Sequence, residues 1–168
     1  MFKRLSLFPL VAVGLAVSLG VVAIQKANSQ NQTDSNIFDP VEIYQKKRFI
    51  GLDVVKVDLH PFGENRWVGE VTFDGEVTVS GTYNPNTLIG ESQQGSPCFF
   101  VDERTENKLP RLKGDERFMW FCFNNPQDIL RSLGTVEKSV EIVIDDYKTI
   151  YIPSDVTNTA TFVRSVSQ

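Results

Sequence analysis

The stretch that decides the fold is Cys98-Phe99-Phe100-Val101-Asp102-Glu103, answered after a polar interval by Arg117-Phe118-Met119-Trp120-Phe121-Cys122-Phe123. Both runs are short, aromatic and β-branched, the composition of strands, and the interval holds the turn residues Asn107, Pro110 and Gly114. If Cys98 and Cys122 face each other across antiparallel strands, Phe100 meets Trp120, Asp102 meets Phe118, and Glu103 meets Arg117 as an opposite-charge pair. One face then carries Cys98, Phe100, Phe118, Trp120 and Cys122. The other carries Phe99, Val101, Met119, Phe121 and Phe123. With both faces apolar, this hairpin is expected at the centre of the fold.

Downstream, Asn125-Pro126-Gln127-Asp128 has the cap, the first-turn proline and the first-turn acid of a helix start. Ile129, Leu130 and Leu133 share its apolar face, and Gly134 stops it. Residues 140–145 alternate as a strand, and 159–166 read as a closing strand after Pro153. Upstream, 67–73 and 76–83 flank Asp74-Gly75, the pair preferred in a two-residue type I′ hairpin, so a hairpin is expected there. Residues 52–59 alternate, with Val55, Val57 and Leu59 expected inward and Lys56 and Asp58 outward. Asp39-Pro40-Val41-Glu42 carries the marks of a capping box and starts an expected N-terminal helix running to about Arg48.

The fold class that follows is mainly β. From Glu76 onward the order is three strands, a short helix and two strands, which resembles the OB-fold, a small Greek-key barrel with a helix between strands 3 and 4. The segments Cys98-Phe99-Phe100-Val101-Asp102 and Trp120-Phe121-Cys122-Phe123-Asn124 look like those of uncharacterised exported bacterial proteins with barrels of this type. The resemblance covers residues 76–166 and rests on topology. That group carries no agreed activity, so the resemblance implies a fold and no site residue.

The N-terminus sets the compartment. Lys3 and Arg4 precede an uncharged apolar stretch over residues 5–24, which reads as an export signal. Ala27 and Ser29 are placed for cleavage before Gln30, while the length just reaches the roughly 20 residues that span a bilayer, so residues 1–29 are a signal peptide or a membrane anchor. Either way the remainder is delivered outside, periplasmic or extracellular. Residues 30–38 read as a flexible tether and 39–168 as a single β-rich domain with its barrel core at about 67–166. Of 168 residues, 17 are Lys or Arg and 21 are Asp or Glu. Setting aside Lys3, Arg4 and Lys26 leaves 14 basic residues and a net charge of −7. An acidic exported domain lacks the concentrated basic surface that a nucleic acid demands, so no nucleic-acid partner is expected.

Residue supply limits the chemistry. Two cysteines in an exported chain, with no CxxC spacing and one distant histidine, read as a disulfide Cys98–Cys122 rather than a thiol nucleophile or metal pair. His60 reads as a surface turn residue, and Asp145-Asp146 as solvated charges at a strand end. No catalytic group, cofactor or metal site is expected. The aromatic residues Trp67, Tyr83, Phe100, Trp120, Tyr147 and Tyr151 offer rings for a sugar or peptide, with Trp120 expected in the core and Trp67 and Tyr83 as candidates for exposure. The loop 104–116, with Arg104, Lys108, Arg111 and Lys113, is a candidate recognition loop. The expected function is therefore a non-enzymatic envelope domain binding a protein partner or an oligosaccharide. A hydrolase using acidic residues and an anchored structural component are the alternatives.

Overall fold

The computed structural model describes residues 35–64, 66–90, 95–152 and 157–166. The expected signal or anchor and the first part of the tether lie outside the described residues. The elements run β1 (Ile37–Phe38), β2 (Arg48–Phe49), β3 (Leu52–Pro61), β4 (Trp67–Asp74), β5 (Val77–Thr87), β6 (Ser96–Val101), α1 (Glu103–Glu106), β7 (Arg111–Leu112), β8 (Trp120–Phe123), α2 (Pro126–Leu133), β9 (Lys138–Tyr151) and β10 (Asn158–Ser165). The protein is mainly β. Strands β5, β6, β8, β10 and β9 pair in that order, and β9 returns to β5, which closes a five-stranded barrel. Within this ring, among the described residues, only β8 and β10 run parallel. Around the ring the chain order is first, second, third, fifth and fourth strand, with α2 between the third and fourth, an arrangement compatible with OB-like topology.

The register expected from the cysteines is the one observed: Cys98 opposes Cys122, Phe99 opposes Phe121 and Phe100 opposes Trp120. The disulfide joins the two strands at a Cα separation of 3.9 Å. Pleating then sends Phe99, Val101, Phe121 and Phe123 into the barrel, where all four are buried. Phe121 stacks on Phe99 at 5.6 Å and meets Phe123 and Tyr147 edge to face. Outside the barrel, Phe100 and Trp120 stack at 5.6 Å and are half-buried, so Trp120 is not the core residue its size led one to expect. The expected pairs stop at Val101, whose amide donates to the Met119 carbonyl. Glu103 enters α1 and Arg117 pairs with Asp115 instead.

Helix α2 lies where its start and stop residues place it, with Ile129 and Leu133 buried. Asn125 does not cap it through its side chain. That amide instead donates to the Phe162 carbonyl and accepts from the Phe162 amide, both at 2.8 Å, and so ties the helix start to β10.

The Asp74-Gly75 hairpin does not form. Residues 69–73 of β4 and 77–83 of β5 lie end to end along β9, pairing with 147–151 and 138–144. Gly75, at φ 122°, bends the ribbon, and across from it Asp146 takes φ 49°. The Asp145 carboxylate accepts from both the Gly75 and Asp146 amides, at 2.8 and 2.7 Å. These acids therefore sit within β9, at its bend, and not at a strand end. Strand β4 finds its hairpin partner in β3, whose register shifts between Val54 and Lys56, leaving Val55 as the extra residue. Val55 is accordingly exposed, while Leu59 is buried.

The N-terminal helix is reduced to one 3₁₀ turn, Glu42–Gln45. Tertiary contacts take over from it: Ile43 is buried, the Tyr44 hydroxyl donates to the Leu59 carbonyl and accepts its amide, and the Lys47 carbonyl accepts the Val54 amide. The end of the expected tether is also structured. Phe38 is buried against Phe49 and Phe73, and β1 pairs in parallel with β7.

Two measurements check this architecture. Replacing both cysteines by serine, C98S/C122S, should cost about 3 kcal/mol in urea denaturation, the loop-closure value for a separation of this length. On the outer face, Glu70 of β4 joins Lys56 of β3 at 2.7 Å and Lys148 of β9 at 3.3 Å. The hydrogen bond from Lys56 is the main reason its carboxyl titrates below the ordinary value of 4.5. The stability it adds is present above that value and is lost as pH falls through the lower folded one. Thermal midpoints measured below pH 5 should therefore fall less steeply in Glu70→Gln than in the parent.

Candidate functional site

The pairing of β4 with β9 brings three distant segments to one place. Trp67 begins β4 opposite Pro61, and the turn between them carries Phe62 and Arg66. Tyr151 ends β9 opposite Gly69, where a Cβ would collide with the Asp58 carbonyl of β3. Residues 114–117, on the way into β8, form the third wall. The cleft between them has a volume of about 400 Å³, within the small-molecule range, and its aromatic lining is Phe62, Trp67 and Tyr151.

Its polar floor is built around Asp115. The turn after β7 places that residue, whose amide donates to the Leu112 carbonyl, and buries it. Both carboxylate oxygens accept from Arg117, Oδ1 from Nε and Oδ2 from Nη2, each at 2.8 Å. Nη2 also donates to the Ile150 carbonyl at 2.7 Å, so one guanidinium links the turn to β9. The hydrogen bonding it donates to the Asp115 carboxylate pushes the Arg117 pKa above its usual value. The guanidinium carbon lies 5.5 Å from the Tyr151 ring centre, and Arg66 stands equally far over Phe62. Arg66 and Arg117 balance Asp115 and Glu116, so the cleft is charged but neutral in sum. Flat rings beside fixed ionic donors and acceptors can stack a ligand and hydrogen-bond its hydroxyls at once.

Of the residues singled out from sequence, Trp67 lies in this cleft and is half-buried. Tyr83 does not. It is fully buried in the barrel, with its hydroxyl donating to the Gly134 carbonyl at 3.0 Å, so it can line no surface. The loop 104–116 is bound to the domain along its length. Leu109 and Leu112 are buried, and β1 covers β7. Its four cations are dispersed: Arg104 pairs with Asp102, Lys108 donates to the Thr78 carbonyl, Arg111 approaches Glu106 and Lys113 approaches Asp39. His60 is exposed and hydrogen-bonds Asp58 at 2.9 Å. The oxygens of Asp74, Asp145 and Asp146 cluster within 4.8 Å, but the bonds to the Gly75 and Asp146 amides account for Asp145 as part of the bend. Asp115 and Arg117 carry no mark in the sequence that joins them, since the register set by the cysteines places Arg117 opposite Glu103.

The buried disulfide suggests an oxidising, exported location. Among the described residues no helix is long and apolar enough to cross a membrane. No family model matches the chain, and no curated protein or solved structure matches it.

If the Asp115–Arg117 pair holds the cleft floor, Asp115→Asn should destabilise the protein by about 2 kcal/mol, since it weakens both hydrogen bonds to a partly buried guanidinium. An unchanged urea midpoint would show that the pair carries no structural weight.

Proposed function

We propose that the protein is an exported, non-enzymatic OB-type barrel that binds an oligosaccharide at the cell envelope, in the cleft between Trp67 and Tyr151. Its delivery rests on residues 5–24, acting as signal peptide or anchor. The single observation that carries the reading is the cleft itself, with aromatic walls and a fixed ionic floor. Three further points support it. The order of strands around the ring, the parallel pair β8–β10 and the position of α2 agree with an OB-fold. Folds of this kind use the loop between their last two strands to bind oligosaccharides and oligonucleotides, and Ile152, in the corresponding loop, lines the cleft. The acidic balance disfavours the nucleic-acid choice.

A protein partner is the second reading, favoured by Phe118, a large apolar side chain left 64% exposed. One set of variants separates the two. Titration with a β-1,4-linked glucose tetrasaccharide, followed by isothermal calorimetry, should be weakened at least tenfold by Trp67→Ala and left unchanged by Phe118→Ala. Tenfold corresponds to about 1.4 kcal/mol, within reach of one stacking ring. Loss of a crosslinked protein partner in Phe118→Ala, with no saccharide response in the parent, would move the site to the outer face of the barrel.

A further inference from the structure

A second pocket shares Asp115 and Arg117 with the cleft and is lined also by Arg111, Phe118, Trp120, Thr157 and Asn158. Its free volume for the centre of a water-sized atom is about 10 Å³, room for one oxygen rather than a ring. Two arginines, Arg111 and Arg117, line this space with one buried acid, Asp115. Arg117 is committed to Asp115 and Ile150. Arg111 is not held in the same way. Its side chain is only 21% exposed, and its nearest carboxylate among the described residues is Glu106, at 3.7 Å. Thr157 adds an independent sign, for its Oγ1 is buried without a hydrogen-bond partner and the residue is 8% exposed. Buried hydroxyls are almost always paired, so an orphan lining the same pocket as a loosely held arginine marks a place that awaits an acceptor.

Resting on the reading of the cleft as a saccharide site, we propose that the ligand is acidic, an oligosaccharide with a uronic-acid carboxylate seated in this inner pocket. One carboxylate oxygen occupies the space between Arg111 and Thr157, accepting from both, while the sugar ring stays outside against Trp67 and Tyr151. A carboxylate suits the site better than a sulfate or phosphate ester. It is flat, and it can present a single charged oxygen to a pocket that admits one.

The test uses two tetrasaccharides of the same linkage, β-1,4-linked glucose and β-1,4-linked glucuronic acid, with free glucuronate as a third probe. Tryptophan fluorescence follows both sites, since Trp67 lines the cleft and Trp120 the pocket. The glucuronic tetrasaccharide should bind at least tenfold more tightly than the neutral one. Arg111→Gln should abolish that preference and leave neutral binding unchanged, and Thr157→Val should reduce it with no change in circular dichroism. Equal affinities for the two, or a preference that survives Arg111→Gln, would overturn the acidic ligand and leave the cleft standing, the inner pocket then holding only water. Glucuronate binding that is lost in Arg111→Gln but untouched by Trp67→Ala would keep the anion pocket and overturn the cleft. No binding of any of the three probes would overturn both.

Discussion

Strand β9 has two edges and three neighbours, and that constraint organises the molecule. One edge carries β10 and the other must serve β5 and then β4. The two can share an edge only because the chain between them bends at Gly75, and β9 answers the bend with the left-handed Asp146 and the two amide bonds to Asp145. The first half of β9 closes the barrel. Its second half extends beyond the ring and carries the β3–β4 hairpin, and so holds Trp67 beside Tyr151. Barrel closure and cleft construction are thus two ends of one strand, separated by a hinge of three residues.

The ion pairs follow the same division. Across β3, β4 and β9 the triad Lys56, Glu70 and Lys148 lies on an exposed face, where each contact contributes little by itself and is screened by salt. Asp115 and Arg117 are different, because the acid is buried and both of its oxygens are used. A buried carboxylate held in fixed geometry costs desolvation, which is repaid only where every partner is in place. The floor of the cleft therefore rests on an ion pair in which both oxygens of a buried acid are used.

The barrel was largely legible in the sequence because its strands alternate and its cysteines fix a register. Phe99, Val101, Phe121 and Phe123 point inward for no reason beyond pleating from Cys98 and Cys122. The Asp74-Gly75 hairpin was not legible, since the turn preference of those residues is local while the better partner, β9, lies some 70 residues away. Val55 broke its alternation for a related reason, a register shift that only the opposing strand imposes. The cleft left even less trace. Its walls come from three stretches that share no spacing or motif, and one of its two central ions was assigned elsewhere by a register that holds only as far as Val101. Tyr83 shows the converse error, because an aromatic ring with a hydroxyl reads the same whether that hydroxyl meets water or a carbonyl.

The disulfide encloses residues 99–121, which include α1, β7 and the exposed turn around Lys113 and Gly114. A protease that cut the chain in that turn would release no fragment. Both new ends would remain joined through Cys98 and Cys122, with β7 still paired to β1 and the new C-terminal piece still bound into the ring by β8, β9 and β10. Nicked and intact forms would run together until a reductant separated them. In an environment rich in proteases, the covalent link converts what would be loss of a domain into an internal scar.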